Sequence, residues 1–420
     1  MESHFIFLVH GFMGNHEELS FLEEALNEAA AAEQAKGEGS EAIVHRVKCN
    51  NTSTFDGIAA GGSRLAREVQ DFVAAYVKER RKGVQQSHTE YHASVSFFGY
   101  SLGGMYARFA LSVLQFEFDA TSTTRVVLHP MDFCTAATPH LGIAAHTYFI
   151  LPRCMEYMFA YLFGKTGRDL FRVDRRKGRK WSCLGIQKRK SKGEANDLIY
   201  AMATKEDYLF PLAKFRRRIS FVNAFGTDAQ VPTATAGMIS PFSDSPHCLI
   251  EDDMSDRWQI GDIEALVFQT KSREGPRNLQ SSGTRSGKND ETLTMCESLD
   301  ALGWTKVFVD CRKGMKGCSV RCICRRPRRE MVSSYISKSR RNVLQDSDEG
   351  ESSSDIIFSS SDLCNLMESS EHLHCLPTGH FVLVAWSKTN TGKKMSEKGR
   401  PFVQETARMM ISDANGDSDV

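Results

Sequence analysis

Residues 94–98 form a short β-like run that leads directly into Gly99-Tyr100-Ser101-Leu102-Gly103, a match to the G-x-S-x-G pattern. A helical pattern carrying Tyr106, Phe109, Ala110 and Val113 follows at once. No other feature of the chain narrows its fold as much. A strand that reverses into a helix across so few residues forces the serine between them into a strained backbone conformation. Gly99 and Gly103 lack side chains, so strand and helix can close around the turn. The first N–H groups of the helix then point to where negative charge would develop beside the serine. Ser101 is the expected nucleophile, against the plainer reading of a tight turn with an incidental serine.

A second glycine turn, Val9-His10-Gly11-Phe12-Met13-Gly14, follows the first apolar run at residues 5–9. In chains built around a nucleophile elbow, one oxyanion donor comes from such a turn and the other from the residue after the nucleophile. The expected donors are the backbone N–H groups of Phe12 and Leu102. His10 is expected to organise the loop rather than to transfer protons.

Around these motifs the N-terminal half alternates short apolar runs with helical patterns, which signals βαβ units and a parallel sheet. Strands are expected at 5–9, 43–47, 94–98, 131–137 and 219–225, with helices through Ala35, over about 62–81 and over 104–115. The expected class is α/β, an α/β-hydrolase fold: a mostly parallel central sheet, helices on both faces, a lid insertion, and disordered insertions in the C-terminal third. The hydrolase core is expected over 1–271 with a lid at about 143–215, then a polar linker at 272–300. The core resumes over 301–412, interrupted by a low-complexity insertion at about 311–376 and followed by a tail at 413–420.

In this fold the acid and then the base follow the nucleophile along the chain. The run at 219–225 is followed by Gly226-Thr227-Asp228, which makes Asp228 the expected acid and Asp244 the second choice. The base must come later, from His247, His372, His374 or His380. His247 lies too soon after Asp228, and His372 and His374 lie in the polar insertion. His380, in Pro377-Thr378-Gly379-His380, precedes an apolar run at 381–386 and is the expected base, against the reading of an ordinary loop or core histidine.

Taken together these segments resemble the eukaryotic "putative serine esterase" lipase-like family of the α/β-hydrolase superfamily. The resemblance is carried by Leu8-Val9-His10-Gly11, Gly61-Gly62-Ser63-Arg64-Leu65-Ala66, the Ser101 elbow and Ala137-Thr138-Pro139-His140-Leu141-Gly142. Thr166-Gly167-Arg168-Asp169-Leu170-Phe171, Gly303-Trp304-Thr305-Lys306-Val307 and Gly379-His380 extend it. It implies action on lipid esters and places Ser101, Asp228 and His380 in the triad positions. The basic stretch at 175–192 and the insertion before His380 look longer than the family pattern.

The expected reaction is therefore hydrolysis of a carboxylic ester in a lipid-like substrate. Its rivals are a catalytically weak lipid-binding protein of the same fold and an acyltransferase. The apolar residues between 148 and 163, such as Phe149, Tyr157, Met158 and Phe163, suit either an acyl-chain pocket or ordinary lid core. The basic residues between 172 and 192 suit either peripheral contact with a membrane or lipid-droplet surface or a solvated, disordered loop, the plainer reading for any single charge. A net charge of +1 and the lack of any module pattern argue against nucleic acid as a partner. No cofactor and no metal are expected, because the basic, cysteine-containing segment at 312–329 has no zinc spacing. The 12 cysteines read as reduced thiols. No run resembles a secretory signal or a spanning helix, so a cytoplasmic location is expected.

Overall fold

The first strand is apolar from Phe5 to Val9 because it is buried on both sides. In the computed structural model, β1 (Ser3–Val9) turns Phe5, Phe7 and Val9 into one apolar cluster and Ile6 and Leu8 into another. A strand with two dry faces belongs inside a parallel sheet covered on both sides. The structure describes residues 3–37, 40–82, 89–143, 153–173, 197–224, 228, 230–239, 257–260, 263–270, 291–311, 379–386, 389, 393 and 396–412.

The chain alternates as expected through its first half. After β1 come α1 (Ser20–Ala35), β2 (Glu41–Arg46), α2 (Ile58–Arg80), β3 (Thr89–Tyr100) and α3 (Leu102–Leu111). A β4–β5 hairpin (Glu117–Thr121 and Thr124–Ala136) follows, then four helices: α4 (Arg153–Leu162), α5 (Gly164–Leu170), α6 (Leu198–Thr204) and α7 (Glu206–Ala213). Next come β6 (Arg217–Asn223), α8 (Thr233–Ala236), β7 (Arg257–Ile260), β8 (Ile263–Gln269), α9 (Glu291–Asp300) and β9 (Thr305–Asp310). The described elements end with α10 (Gly379–Val382) and α11 (Arg400–Ser412).

The sheet runs β2-β1-β3-β5-β6-β9-β8-β7, with β4 pairing β5 off this path. The pairings from β2 to β9 along this order are parallel, while β8, β7 and β4 are antiparallel. One face carries α2 and α3, where Leu65, Val69, Val73 and Val77 recur at one-turn spacing against Phe97 and Met105. The other carries α1 and α11, with Leu22, Leu26, Phe402 and Met410 packed on Phe98 and Phe221. This mostly parallel, doubly covered sheet with its elbow at β3–α3 is the α/β-hydrolase fold.

Two expectations need correction. The last ten residues of the stretch expected as linker form helix α9, whose Met295, Cys296 and Leu299 are core residues. The apolar run after His380 opens on a single helical turn, and its Val382, Leu383 and Val384 are buried as an apolar run should be. The strand expected at 131–137 extends back to Thr124, because β4 supplies it with an antiparallel partner. Of the stretch expected as a lid, the structure describes 143, 153–173 and 197–215; residues 144–152 and most of the basic stretch lie outside the described residues, as do residues 312–378, which cover the expected insertion. No helix among the described residues is long and apolar enough to cross a membrane.

Helix α9 also brings a charge into the interior. Lys306 on β9 is fully buried, with Nζ 2.6 Å from Asp300 Oδ1. Burial pushes the Asp300 carboxyl up to about 6, and the Lys306 ammonium only partly offsets that rise. Removing one partner of a buried pair leaves the other uncompensated, at a cost of about 3 kcal/mol. Lys306→Met should therefore destabilise the fold in denaturant melts at pH 7. In the variant the folded-state carboxyl titrates higher still, while the unfolded one keeps its ordinary value. The deficit should shrink as pH falls and Asp300 is protonated in both states. A deficit constant between pH 7 and pH 4 would contradict this reading.

Candidate active site

Parallel strands end their carboxyl edges on one side of the sheet, and α/β folds place their ligands there. The expected site residues converge on that edge. β1 delivers His10 to Gly14, β3 delivers Ser101, and β6 ends at Asn223, five residues before Asp228. In the pairing register Val9 lies beside Gly99, so the glycine turn and the elbow leave adjacent strands at the same level.

Ser101 has φ 53° and ψ −124°, the strained conformation a strand-to-helix reversal requires. The turn is held by backbone. The Ser101 N–H donates to Ala136 O at 2.8 Å, and the Thr138 hydroxyl donates to Ser101 O at 3.0 Å. Its closeness explains the glycines. A Cβ on Gly103 would lie 2.1 Å from Val9 O, and one on Gly99 would lie 2.4 Å from the Gly104 Cα. A Cβ on Gly11 would lie 2.9 Å from Ser101 Cβ and 3.4 Å from its Oγ, so the glycine turn abuts the serine side chain. Leu102 is the first residue of α3, where a backbone N–H has no intrahelical acceptor.

The His10 Nδ1 lies 3.1 Å from Gly11 O, within the loop it was expected to organise. The Phe12 ring sits between those of Phe55 and Phe163, at 4.8 and 5.3 Å. Met13 N–H donates to the Thr54 hydroxyl. Residues 54–58 are in turn tied to α5: Gly57 N–H donates to the Thr166 hydroxyl, and Ile58 N–H to Asp169 Oδ2, both at 2.9 Å. Helix α5 is thus tied through residues 54–58 to the loop that carries Phe12. Around Phe12 the rim is apolar and solvent-facing, with Met13, Tyr161 and Leu162 exposed by 64%, 61% and 65%.

Asp228 and His380 meet although 152 residues separate them: His380 Nδ1 lies 2.7 Å from Asp228 Oδ2. Both are buried. A carboxylate accepts, so His380 carries its proton on Nδ1 and leaves the Nε2 lone pair for another donor. Asp228 Oδ1 takes the Gln230 and Val231 N–H groups at 2.7 and 2.9 Å. Asn223 Nδ2 donates to Oδ2 at 2.9 Å. The alternatives Asp244, His247, His372 and His374 lie outside the described residues.

Two supports were not legible as such. Tyr100 lays its ring 4.9 Å from the His380 imidazole. Its hydroxyl has no hydrogen-bond partner among the described residues, and burial pushes the phenol well above its usual value, with Glu18 and Asp228 adding to the rise. Tyr100→Phe removes an unpaired buried hydroxyl while keeping the ring. It should raise stability by about 1 kcal/mol in denaturant melts and leave ester turnover unchanged. A loss of turnover would show that the hydroxyl acts in the site.

The second support lies behind the elbow. The buried Arg108 of α3 donates to His140 Nδ1 at 3.2 Å, to His140 O at 3.1 Å and to Met202 O at 2.9 Å. Burial, then Arg108 and Lys306, hold His140 well below its usual value, so it is neutral and accepts the guanidinium proton. Its Nε2–H then donates to the Thr135 hydroxyl at 3.0 Å, tying α3 to β5.

A family model described as "Putative serine esterase (DUF676)" matches residues 1–241. Two Saccharomyces cerevisiae proteins, "Putative lipase YDL109C" and "Putative lipase ROG1", are each 24% identical to this chain over 240 residues. That stretch is 57% of this chain but only 30% and 29% of the two yeast proteins, so the match spans less than a third of their length. Among solved structures, the mature form of Bacillus licheniformis lipase BlEst2 has 15% identity and a TM-score of 0.27, covering 52% of this chain and 65% of that one.

Proposed function

The chain belongs to the "Putative serine esterase (DUF676)" family, and on that premise we propose that it hydrolyses carboxylic esters of lipid-like substrates through a Ser101 acyl-enzyme. The observation that carries this reading is the buried Asp228–His380 hydrogen bond at the strand edge where the strained Ser101 turn also ends. In the proposed reaction Ser101 Oγ attacks the ester carbonyl carbon and passes its proton to His380 Nε2. Asp228 holds the imidazole in that tautomer and stabilises its cation. The backbone N–H groups of Phe12 and Leu102 receive the oxyanion, where one donor is worth about 3 kcal/mol. The intermediate collapses as His380 protonates the leaving alkoxide, and water, deprotonated by His380, then releases the acid from Ser101.

The choice of a lipid-like acyl group rests on the rim. Phe12, Phe55 and Phe163 form an aromatic wall beside one proposed oxyanion donor, and the exposed Met13, Tyr161 and Leu162 continue it outward. Such a collar suits an alkyl chain better than a polar acyl group, and the same face would meet a lipid surface when substrate is drawn from one.

Purified protein with p-nitrophenyl butyrate, together with a fluorophosphonate probe and mass mapping, tests the proposal. Turnover with the adduct on Ser101 is the expected result. Neither turnover nor adduct, with lipid vesicles present as well as absent, would overturn it.

A further inference from the structure

The Asp228 carboxylate is aimed at His380 by a second buried chain of hydrogen bonds. Asn223 is the last residue of β6 and pairs in register with Val309 of β9, two residues before Cys311. The Ala224 N–H donates to Val309 O at 2.9 Å, so the ends of both strands are locked together. Asn223 Nδ2 donates to Asp228 Oδ2, the oxygen that also faces His380 Nδ1. On its other side Cys311 Sγ donates to Asn223 Oδ1 at 3.2 Å, while the Thr233 hydroxyl donates to the Asn223 backbone carbonyl at 2.7 Å.

The direction of each bond follows from chemistry. A carboxylate only accepts, so the amide must turn its NH2 toward Asp228 and its oxygen toward Cys311. The thiol must then be an S–H donor. Burial pushes Cys311 well above its usual value, and Asp310 and Asp228 push it further, which keeps the proton on sulfur. The backbone N–H groups of Gln230 and Val231 hold Oδ1 alone. Rotation about the carboxylate axis is restrained on the Oδ2 side by Asn223 and His380, and only Asn223 is itself anchored to the sheet.

We infer that Asn223, held in orientation by the Cys311 thiol, is a positioning residue that aims Asp228 Oδ2 at His380. This rests on the reading of Asp228 and His380 as acid and base. The chain Cys311–Asn223–Asp228–His380 puts a strand-anchored amide behind a loop carboxylate, so the sheet sets Oδ2 while the loop N–H groups hold Oδ1. Groups that orient a reactive side chain from behind are worth about 10- to 100-fold in activity at metal sites, a useful scale here.

The test uses Asn223→Leu, which keeps the branching of the side chain without its polar atoms, and Cys311→Ala beside Cys311→Ser, which restores a donor. Two readouts are followed in the full chain: kcat and KM for p-nitrophenyl butyrate, and the low-field proton resonance of His380 Nδ1–H, assigned by its loss in His380→Gln. In Asn223→Leu, kcat should fall about 10-fold or more with KM unchanged, and the resonance should broaden or move upfield. Cys311→Ala should do the same to a smaller degree, and Cys311→Ser should recover both. The inference is overturned if folded Asn223→Leu or Cys311→Ala keeps the wild-type resonance, whatever happens to activity. If wild type shows the resonance but no turnover, the proposed function fails while the positioning question is still answered by the spectrum.

Discussion

Ser101→Ala is expected to reduce kcat for p-nitrophenyl butyrate by at least about 1000-fold and to abolish fluorophosphonate capture, with KM little changed. The acyl-enzyme route has no substitute for a lost nucleophile; what remains is the modest rate that an oxyanion site gives to attack by water. The same change should be nearly silent in stability. The Ser101 side chain makes no capping hydrogen bond to its helix, and the turn is held through backbone groups that alanine keeps. Alanine at φ 53° bears the same strain as serine, because both have a Cβ. Melting curves should therefore overlay within about 0.5 kcal/mol. A variant keeping a tenth of the activity would remove Ser101 from the reaction.

Asp228→Asn should cost about 10,000-fold in kcat, the scale seen when a triad acid becomes an amide. The reason lies in four donors converging on two oxygens. His380 Nδ1 and Asn223 Nδ2 face Oδ2, and the Gln230 and Val231 N–H groups face Oδ1. An amide must present NH2 to one of these pairs. If it faces the backbone, two N–H groups lose their acceptor. If it faces His380, the imidazole must move its proton to Nε2, where it can no longer accept from Ser101. Either arrangement leaves buried donors unpaired, at about 1–3 kcal/mol, so a lower unfolding midpoint should accompany the lost activity. Kinetics combined with denaturant melts will read both. Activity within tenfold of wild type would send the search for the acid to Asp244.

Legibility from sequence followed the range of the interactions. The Ser101 elbow lies within ten consecutive residues, so its pattern is visible in the chain, although Gly103 is required by the distant Val9. The covered strands were legible for the same local reason: Phe5 to Val9 reads as continuously apolar because both sides of β1 are dry. β8 carried a signal that could have been used, since Ile263, Ala265 and Val267 alternate inward. Its antiparallel pairing with β9 is a relation between two strands, however, and no periodicity encodes direction. Helix α9 escaped because its polar residues resemble the stretch before it, and only packing on the core separates the two.

The order of motifs along the chain was enough to nominate Asp228 and His380, since this fold brings acid and base to the strand edge in a set sequence. That local chemistry, together with the elbow and its glycines, is what the amino-acid sequence determines by itself. The contact between Asp228 and His380 spans 152 positions. The supports behind it, Asn223 with Cys311 and the Tyr100 ring, depend on where β6, β9 and β3 end relative to one another. Arg108 and Lys306 carry charges whose burial no pattern of neighbouring residues announces. Hydrogen bonds and rings act over a few ångströms, and only the assembled sheet brings residues so distant in the chain within that reach.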